Sequence, residues 1–131
     1  MEAKFNFNSQ ICTTREQSER LLALGLKKET ADMHHYRWSE GFWRVEACPP
    51  RGDAPNFIPA WSLDRLREII PENIFTGKYD QWHRVMYNGV LTYEEGDETL
   101  VSFRETNIYD RCVSCIEWLI KEGYFNKEYL V

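Results

Sequence analysis

Apolar residues recur at helical spacing most clearly near the end of the chain. The members of this stripe are Ile108, Cys112, Cys115, Ile116 and Leu119. Such spacing is typical of the buried face of a helix. Asn107 can cap the first turn, and Gly123 can adopt the left-handed conformation that often ends a helix. The pattern therefore predicts a helix between these two residues.

A shorter helix is predicted near the start, over about residues 14–24. Thr14 is followed three residues later by Gln17, which is a capping-box pattern. Leucines then lie on one side of the helix, and Gly25 follows as a stop signal.

A third helix is predicted to begin at Ser62, which is a good N-cap residue. Trp61 precedes it and can contact Leu66 as a hydrophobic staple. Pro71 ends the helix, because proline has no N–H group to continue the hydrogen-bond ladder.

The remaining apolar segments predict antiparallel strands. Residues 31–38 and 42–47 form one hairpin around a turn at 39–41, and a loop rich in proline and glycine follows. Asn88-Gly89 is a strong hairpin signal that joins predicted strands over 81–87 and 90–94, and a second turn near 96–97 leads to the third strand of this meander, over 99–104. The sequence predicts a single α+β domain over 1–131, with an antiparallel sheet and about three helices mainly on one face.

Composition and charge narrow the class of protein. The 131 residues are 43% apolar and 28% charged, with a net charge of −5. These values are typical of a globular protein. The sequence shows no basic patch of the kind that nucleic-acid-binding proteins carry, so nucleic-acid binding is not expected. The chain begins without an apolar leader and lacks an apolar run of membrane-spanning length. We therefore expect a soluble cytoplasmic protein with four reduced cysteines and no cofactor.

Several segments resemble a group of small uncharacterised proteins from gut bacteria and their prophages. The segments are Ile11-Cys12-Thr13-Thr14-Arg15-Glu16-Gln17-Ser18, Leu24-Gly25-Leu26 with Thr30-Ala31-Asp32-Met33, Ile58-Pro59-Ala60-Trp61-Ser62-Leu63, and the last helix with Cys112 and Trp118-Leu119-Ile120. Together they cover about half of the chain, and the Ile-Pro-Ala-Trp-Ser-Leu segment is the most specific. The resemblance implies an accessory gene of mobile-element type and brings no assigned activity or catalytic residue.

Cys112 and Cys115 are the metal candidates, because two thiols at this spacing can reach one metal ion or each other. Both lie inside the apolar stripe, where cysteines commonly fill the core. A zinc site would need Cys12, Cys48 or a histidine to complete it. We interpret the pair as core residues.

Asp32, His34 and His83 are the candidates for catalysis. His34 and His35 are adjacent in a strand, so they point to opposite faces and cannot bind one ion together. Asp32 lies on the same face as His34 and could assist it as a general base. The alternative is that these histidines are ordinary sheet residues. The chain lacks a phosphate-binding glycine loop and a Gly-x-Ser-x-Gly nucleophile motif.

Trp118 and Arg111 are the candidates for binding a partner. On a helical wheel both fall on the polar side of the last helix. Trp118 there either lies under the C-terminal tail or anchors a partner. The aromatic residues that follow favour the tail.

Three functions remain open. The first is a non-enzymatic accessory module that acts through self-association or an unknown protein partner. The second is a small enzyme or ligand-binding protein with a site around Asp32, His34, Tyr36 and Trp43. The third is an inhibitor that mimics nucleic acid through the acidic residues 94–98.

Overall fold

Helices and strands are both present in residues 9–131, the part of the chain that the computed structural model describes. The helices are α1 (Arg15–Ala23), α2 (Leu63–Ile69) and α3 (Ile108–Glu122). The strands are β1 (Met33–Ser39), β2 (Phe42–Glu46), β3 (Phe57–Ala60), β4 (Asn73–Phe75), β5 (Gln81–Tyr87), β6 (Val90–Glu95) and β7 (Glu98–Phe103). Two short 3-10 turns cover Lys28–Thr30 and Lys127–Tyr129. The predicted α+β class with about three helices is confirmed.

The strands form two antiparallel sheets. One sheet has the order β2-β1-β3, and the other has the order β4-β5-β6-β7. The predicted hairpin therefore belongs to one sheet and the predicted meander to the other. The added strand β3 contains Pro59, which pairs with His34 at the edge of the smaller sheet. Proline is tolerated there because a residue of an edge strand does not need to donate a backbone N–H hydrogen bond. Because proline is unusual inside strands, the sequence pattern did not predict this one.

Local capping interactions fix the ends of the helices. Thr14 Oγ1 accepts a hydrogen bond from Gln17 N, and Gln17 Oε1 accepts one from Thr14 N, so the predicted capping box is present. Asn107 caps α3 as predicted. Gly123 ends that helix at a φ of 83°, a conformation that favours glycine.

The main core lies between the three helices and the four-stranded sheet. Its members include Leu21, Trp61, Leu66, Ile70, Leu91, Tyr93, Cys112, Cys115, Ile116 and Leu119. The predicted stripe of α3 is thus its buried face. None of the helices in the described part of the chain is both long and apolar enough to cross a membrane.

The C-terminal tail closes one side of this core. Phe125 is buried, and Leu26 forms an isolated β-bridge with Leu130. Val131 N donates a hydrogen bond of 2.7 Å to Gly25 O. The tail is therefore bound to the chain segment that follows α1.

Thr13 connects the two halves of the fold. Its hydroxyl accepts a hydrogen bond from Trp61 N at 3.0 Å, and its carbonyl oxygen lies 2.8 Å from His35 Nε2. Because Trp61 lies in the main core and His35 in β1, these bonds hold the smaller sheet against the start of α1.

Candidate functional site

The two faces of β1 carry different chemistry. His34 and Tyr36 lie on one face, where the residues opposite them are Glu46 and Phe57. His35 and Arg37 lie on the other face, because successive side chains of a strand alternate. The sheet thus separates the two histidines, in accord with the strand prediction.

His35 has a structural role on its face. Burial lowers the pKa of its imidazole, which favours the neutral ring. Since the Thr13 carbonyl can only accept, the Nε2 atom must carry the hydrogen and donate it. This bond ties β1 to the residue before the α1 N-cap.

A cleft of about 580 Å³ opens on the face that carries His35 and Arg37. Its walls come from α1, the smaller sheet and the loop before β3. The apolar lining consists of Leu22, Trp43, Ala54, Pro55, Phe57, Ile58 and Pro59. The charged lining consists of Arg15, Glu19, Lys28, Arg37 and Asp53.

The three cations of the cleft have different partners. The guanidinium carbon of Arg15 lies 4.4 Å from the centroid of the Trp43 ring. Lys28 forms an ion pair with Asp53, and the hydrogen bond between them raises the pKa of Lys28. The side chain of Arg37 is half-buried and has no hydrogen-bond or ion-pair partner among residues 9–131. Arg37 is therefore available to receive a ligand.

A second polar group lies on the opposite face, around His34. The His34 side chain is 0% exposed, and its Nδ1 atom lies 2.8 Å from Cys48 O. Its Nε2 atom lies 3.5 Å from Glu46 Oε2 and has no hydrogen-bond partner within residues 9–131. Cys48 Sγ lies 3.9 Å from the same carboxylate oxygen. A nitrogen, an oxygen and a sulfur atom thus lie within 4.8 Å of one another.

Arg51 and two aromatic rings surround this group. The Nη2 atom of Arg51 lies 3.7 Å from Cys48 Sγ and 3.8 Å from Glu46 Oε2. The Phe57 ring lies 5.7 Å from the His34 ring and 5.1 Å from the Tyr36 ring, centroid to centroid. The rings shield the imidazole, whereas the guanidinium lies in solvent.

The other catalytic candidates do not join His34. Asp32 accepts hydrogen bonds from both Ser62 N, at 2.9 Å, and Ser62 Oγ, so its carboxylate is held at the N-cap of α2. His83 is exposed on β5 and bonds to Asn73 through Nδ1. The predicted assistance of His34 by Asp32 is replaced by the contacts of His34 with Cys48 and Glu46.

The metal candidates of α3 are core residues. Cys112 and Cys115 are both fully buried, and burial raises the pKa of the Cys112 thiol to about 11. Burial raises the pKa of Cys115 as well. Within residues 9–131 neither belongs to a group of three ligand side chains, and the group that does exist contains Cys48. These thiols fill space and stay protonated.

The partner candidates of α3 also have internal contacts. Trp118 lies against Tyr93, Phe103 and Tyr124, with ring centroids 5.7–6.3 Å apart. Arg111 is buried rather than exposed, because its guanidinium donates to the carbonyl groups of residues 105 and 106 at the start of the helix. The tail therefore covers Trp118, which was one of its two predicted positions.

Sequence reasoning missed Glu46, Arg15 and Arg37 as site residues, and it considered Cys48 only as a further zinc ligand for Cys112 and Cys115. One signal was present: strand pairing symmetric about the predicted turn places His34 opposite Glu46. Cys48, two residues further on, belongs to the bend after the strand, and local patterns do not fix its direction. No family model, no curated protein and no solved structure matches the chain.

Proposed function

We propose that this protein binds a small organic anion in the cleft between α1 and the three-stranded sheet. The ligand would present a carboxylate or phosphate to Arg37 and an apolar, preferably aromatic, body to the walls. This proposal takes up the ligand-binding alternative raised by the sequence, with Trp43 as the one residue of that predicted site that lines the cleft.

The observation that carries the proposal is the guanidinium of Arg37, which has no hydrogen-bond or ion-pair partner among the residues that the structure describes. The Arg37 side chain is half-buried, and its guanidinium has five N–H donors in a planar fork that fits an anion. Arg37 lies directly opposite Trp43 in the strand register. An anion bound at Arg37 would therefore hold its organic body beside the indole ring.

The remaining walls favour an apolar body of modest size. The volume of about 580 Å³ lies in the range of typical ligand clefts. Ile58, Pro59 and Leu22 provide apolar surface next to the cations. Because the cations of the cleft outnumber its carboxylates in a chain of net charge −5, the cleft attracts anions that other surfaces repel.

Binding fits this lining better than catalysis. Among the described residues that line the cleft there is no histidine, cysteine, serine or threonine. Of the two carboxylates, that of Asp53 is already paired with Lys28 and that of Glu19 is exposed on α1. We infer an accessory binding role in the cytoplasm, which four free cysteines favour.

The experiment compares three probes of one shape: 2-naphthoate, 2-naphthyl phosphate and the neutral 2-naphthamide. Calorimetric titration should give binding of at least one anion and at least about tenfold weaker binding of the amide, since charge-assisted hydrogen bonds to Arg37 would be lost. The two anions distinguish a carboxylate site from a phosphate site. Equal affinity for all three probes would reject the proposal.

The matched variants are Arg37→Gln and Arg44→Gln. Arg44 is an exposed arginine on the opposite face of the same sheet, opposite Tyr36 in the register. The first variant should weaken anion binding about tenfold, and the second should leave it unchanged. Equal effects of both would indicate a nonspecific charge effect and would contradict the assignment to Arg37.

A second candidate function is self-association through the β1–β2 hairpin. Trp38 and Phe42 are 55% and 59% exposed, with ring centroids 5.6 Å apart, and β2 is an edge strand of its sheet. Two copies could pair these edges and cover the rings. The predicted protein-interaction function is kept in this candidate, but the residue that makes the contact is Trp38 and not Trp118.

Sedimentation of the purified protein over a range of concentrations tests this second candidate. We expect a dimer that the double variant Trp38→Ser/Phe42→Ser abolishes. The control Tyr79→Ser removes an aromatic ring that is exposed elsewhere and should leave the dimer intact. A wild-type monomer at every concentration would reject self-association.

A further inference from the structure

We propose that His34, Glu46 and Cys48 form a binding site for a zinc-type divalent cation, on the face of the smaller sheet opposite the anion cleft. The site does not depend on the proposed binding function. Its basis is a cluster of three ligand side chains together with a buried imidazole nitrogen that has no hydrogen-bond partner in the described part of the chain.

The hydrogen bond at Nδ1 fixes which nitrogen of His34 can bind a metal. Its partner is the carbonyl oxygen of Cys48, 2.8 Å away, which can only accept. The hydrogen must therefore be on Nδ1, and the neutral ring presents a lone pair at Nε2. Histidine ligands commonly donate their other N–H to a backbone carbonyl in this way.

The lone pair at Nε2 faces an oxygen that also accepts. Glu46 Oε2 lies 3.5 Å away, and the imidazole is 0% exposed. Two opposed acceptors repel each other, and an unsatisfied buried nitrogen is unfavourable. A cation bound by both atoms removes the conflict. The competing explanation is a second proton on His34, which would convert the contact to an ion pair.

The donor set selects the class of metal. A thiolate with an imidazole and a carboxylate suits Zn²⁺, whereas Mg²⁺ and Ca²⁺ prefer oxygen ligands. Tetrahedral bonds of about 2.0–2.3 Å require ligand atoms about 3.3–3.8 Å apart. The observed separations of Glu46 Oε2 from His34 Nε2 and Cys48 Sγ are 3.5 and 3.9 Å. Both separations from Oε2 are close to this range, and Cys48 Sγ also lies 4.0 Å from Nδ1 of the same imidazole.

The fold positions these ligands before any ion binds. His34 and Glu46 are opposite each other in the β1–β2 ladder, and Cys48 follows at the end of the same hairpin. A smaller cavity of about 210 Å³, lined by Tyr36, Glu46, Arg51 and Phe57, adjoins the cluster. It leaves room for a water molecule as the fourth ligand.

Arg51 lies close enough to two of the proposed ligands to compete with a metal ion for them. Its guanidinium contacts both Cys48 Sγ and Glu46 Oε2, so the two acidic ligands already attract a cation. The Arg51 side chain is 70% exposed and can move away when an ion binds. Because the metal and the guanidinium compete for the same atoms, removal of Arg51 should strengthen metal binding.

The experiment titrates chelator-treated full-length protein with Co²⁺ and then displaces it with Zn²⁺. We expect one Co²⁺ per chain and a thiolate-to-cobalt charge-transfer band, which reports a sulfur ligand independently of any activity. The band should disappear in Cys48→Ser and persist in the matched control Cys12→Ala. A protein without the band, or a band that persists in Cys48→Ser, would overturn the proposal.

Two further variants separate binding from folding. Glu46→Gln changes a partly exposed side chain and should weaken Zn²⁺ binding at least about tenfold while the circular dichroism spectrum stays unchanged. Arg51→Gln should strengthen binding severalfold. Zn²⁺ affinity unchanged in Glu46→Gln, or weakened in Arg51→Gln, would favour the protonated ion pair and contradict a metal site. Anion binding in the cleft is measured separately, so either proposal can fail alone.

Discussion

The guanidinium carbon of Arg15 lies 4.4 Å from the centroid of the Trp43 ring. Arg15 is the first residue of α1, and Trp43 lies on the edge strand β2. This cation–π contact therefore joins the helix to the sheet at one end of the cleft. It also orients the indole ring that we expect a ligand to contact.

Replacement of that ring should affect binding more than stability. We expect Trp43→Leu to weaken 2-naphthoate binding about tenfold, because the ligand loses its aromatic neighbour. The contact is partly exposed, so its loss should lower the free energy of unfolding by only about 1 kcal/mol. Calorimetry and urea unfolding measure the two effects. Unchanged affinity would mean that the ligand does not reach Trp43.

Gly52 should be required for the loop that forms the cleft wall. A Cβ atom at this position would lie 2.7 Å from Cδ2 of the Phe57 ring, which is far too close. We expect Gly52→Ala to lower the free energy of unfolding by about 1–3 kcal/mol, as overpacking does. In the control Gly77→Ala, the nearest atom is a carboxylate oxygen of Asp80 at 3.1 Å, which can move. Equal stability losses in urea unfolding would contradict this account of the loop.

Asp32 should act in stability rather than in catalysis. Its carboxylate accepts from Ser62 N and Ser62 Oγ at the start of α2. We expect Asp32→Ala to cost about 1–2 kcal/mol of unfolding free energy, the magnitude of a lost cap interaction. The control Asp97→Asn changes an exposed acidic residue in a turn and should cost little. The affinities for the anion and for the metal ion should stay unchanged in the folded Asp32→Ala variant. A loss of either affinity would indicate that Asp32 takes part in binding.

The buried thiol of Cys112 should make stability fall at alkaline pH. Burial raises its pKa from 9.0 to about 11 in the folded protein, against the opposing charges of nearby arginines. Between those values the folded state keeps a proton that the unfolded state releases, so rising pH favours unfolding. The expected loss is about 2 kcal/mol between about pH 9 and pH 11.

Urea unfolding at a series of pH values measures this loss. Cys112→Ala lowers stability at every pH through the cavity that it leaves, but it should flatten the alkaline decline. The difference in slope isolates the thiol from other groups that titrate in the same range. Parallel curves for the two proteins would contradict a buried, protonated Cys112.

The helices could be predicted to within a residue or two because their end signals are local. Thr14 with Gln17, and Asn107 with Gly123, act within a few residues of one another. The division into two sheets depends on contacts between distant segments, which periodicity does not encode. Strand β3 was missed because Pro59 is unusual inside a strand and is tolerated only at an edge.

The sites were less predictable than the fold. The opposite orientation of His34 and His35 follows from strand geometry alone. The contact of Arg15 with Trp43 requires α1 to pack on the smaller sheet, and the contact of Cys48 with His34 requires the chain to bend after β2. Both depend on tertiary structure. The resemblance to the gut-bacterial group remains a prediction.

The most direct test of the anion cleft uses the indole N–H signals of the five tryptophans in a two-dimensional NMR spectrum. Addition of 2-naphthoate should shift the signal of Trp43 and leave those of Trp61, which is buried in the core, and Trp118, which lies under the tail, in place. In the Arg37→Gln variant, about ten times more 2-naphthoate should be needed to produce this shift. A Trp43 signal that stays unchanged at saturating 2-naphthoate would contradict the proposed function.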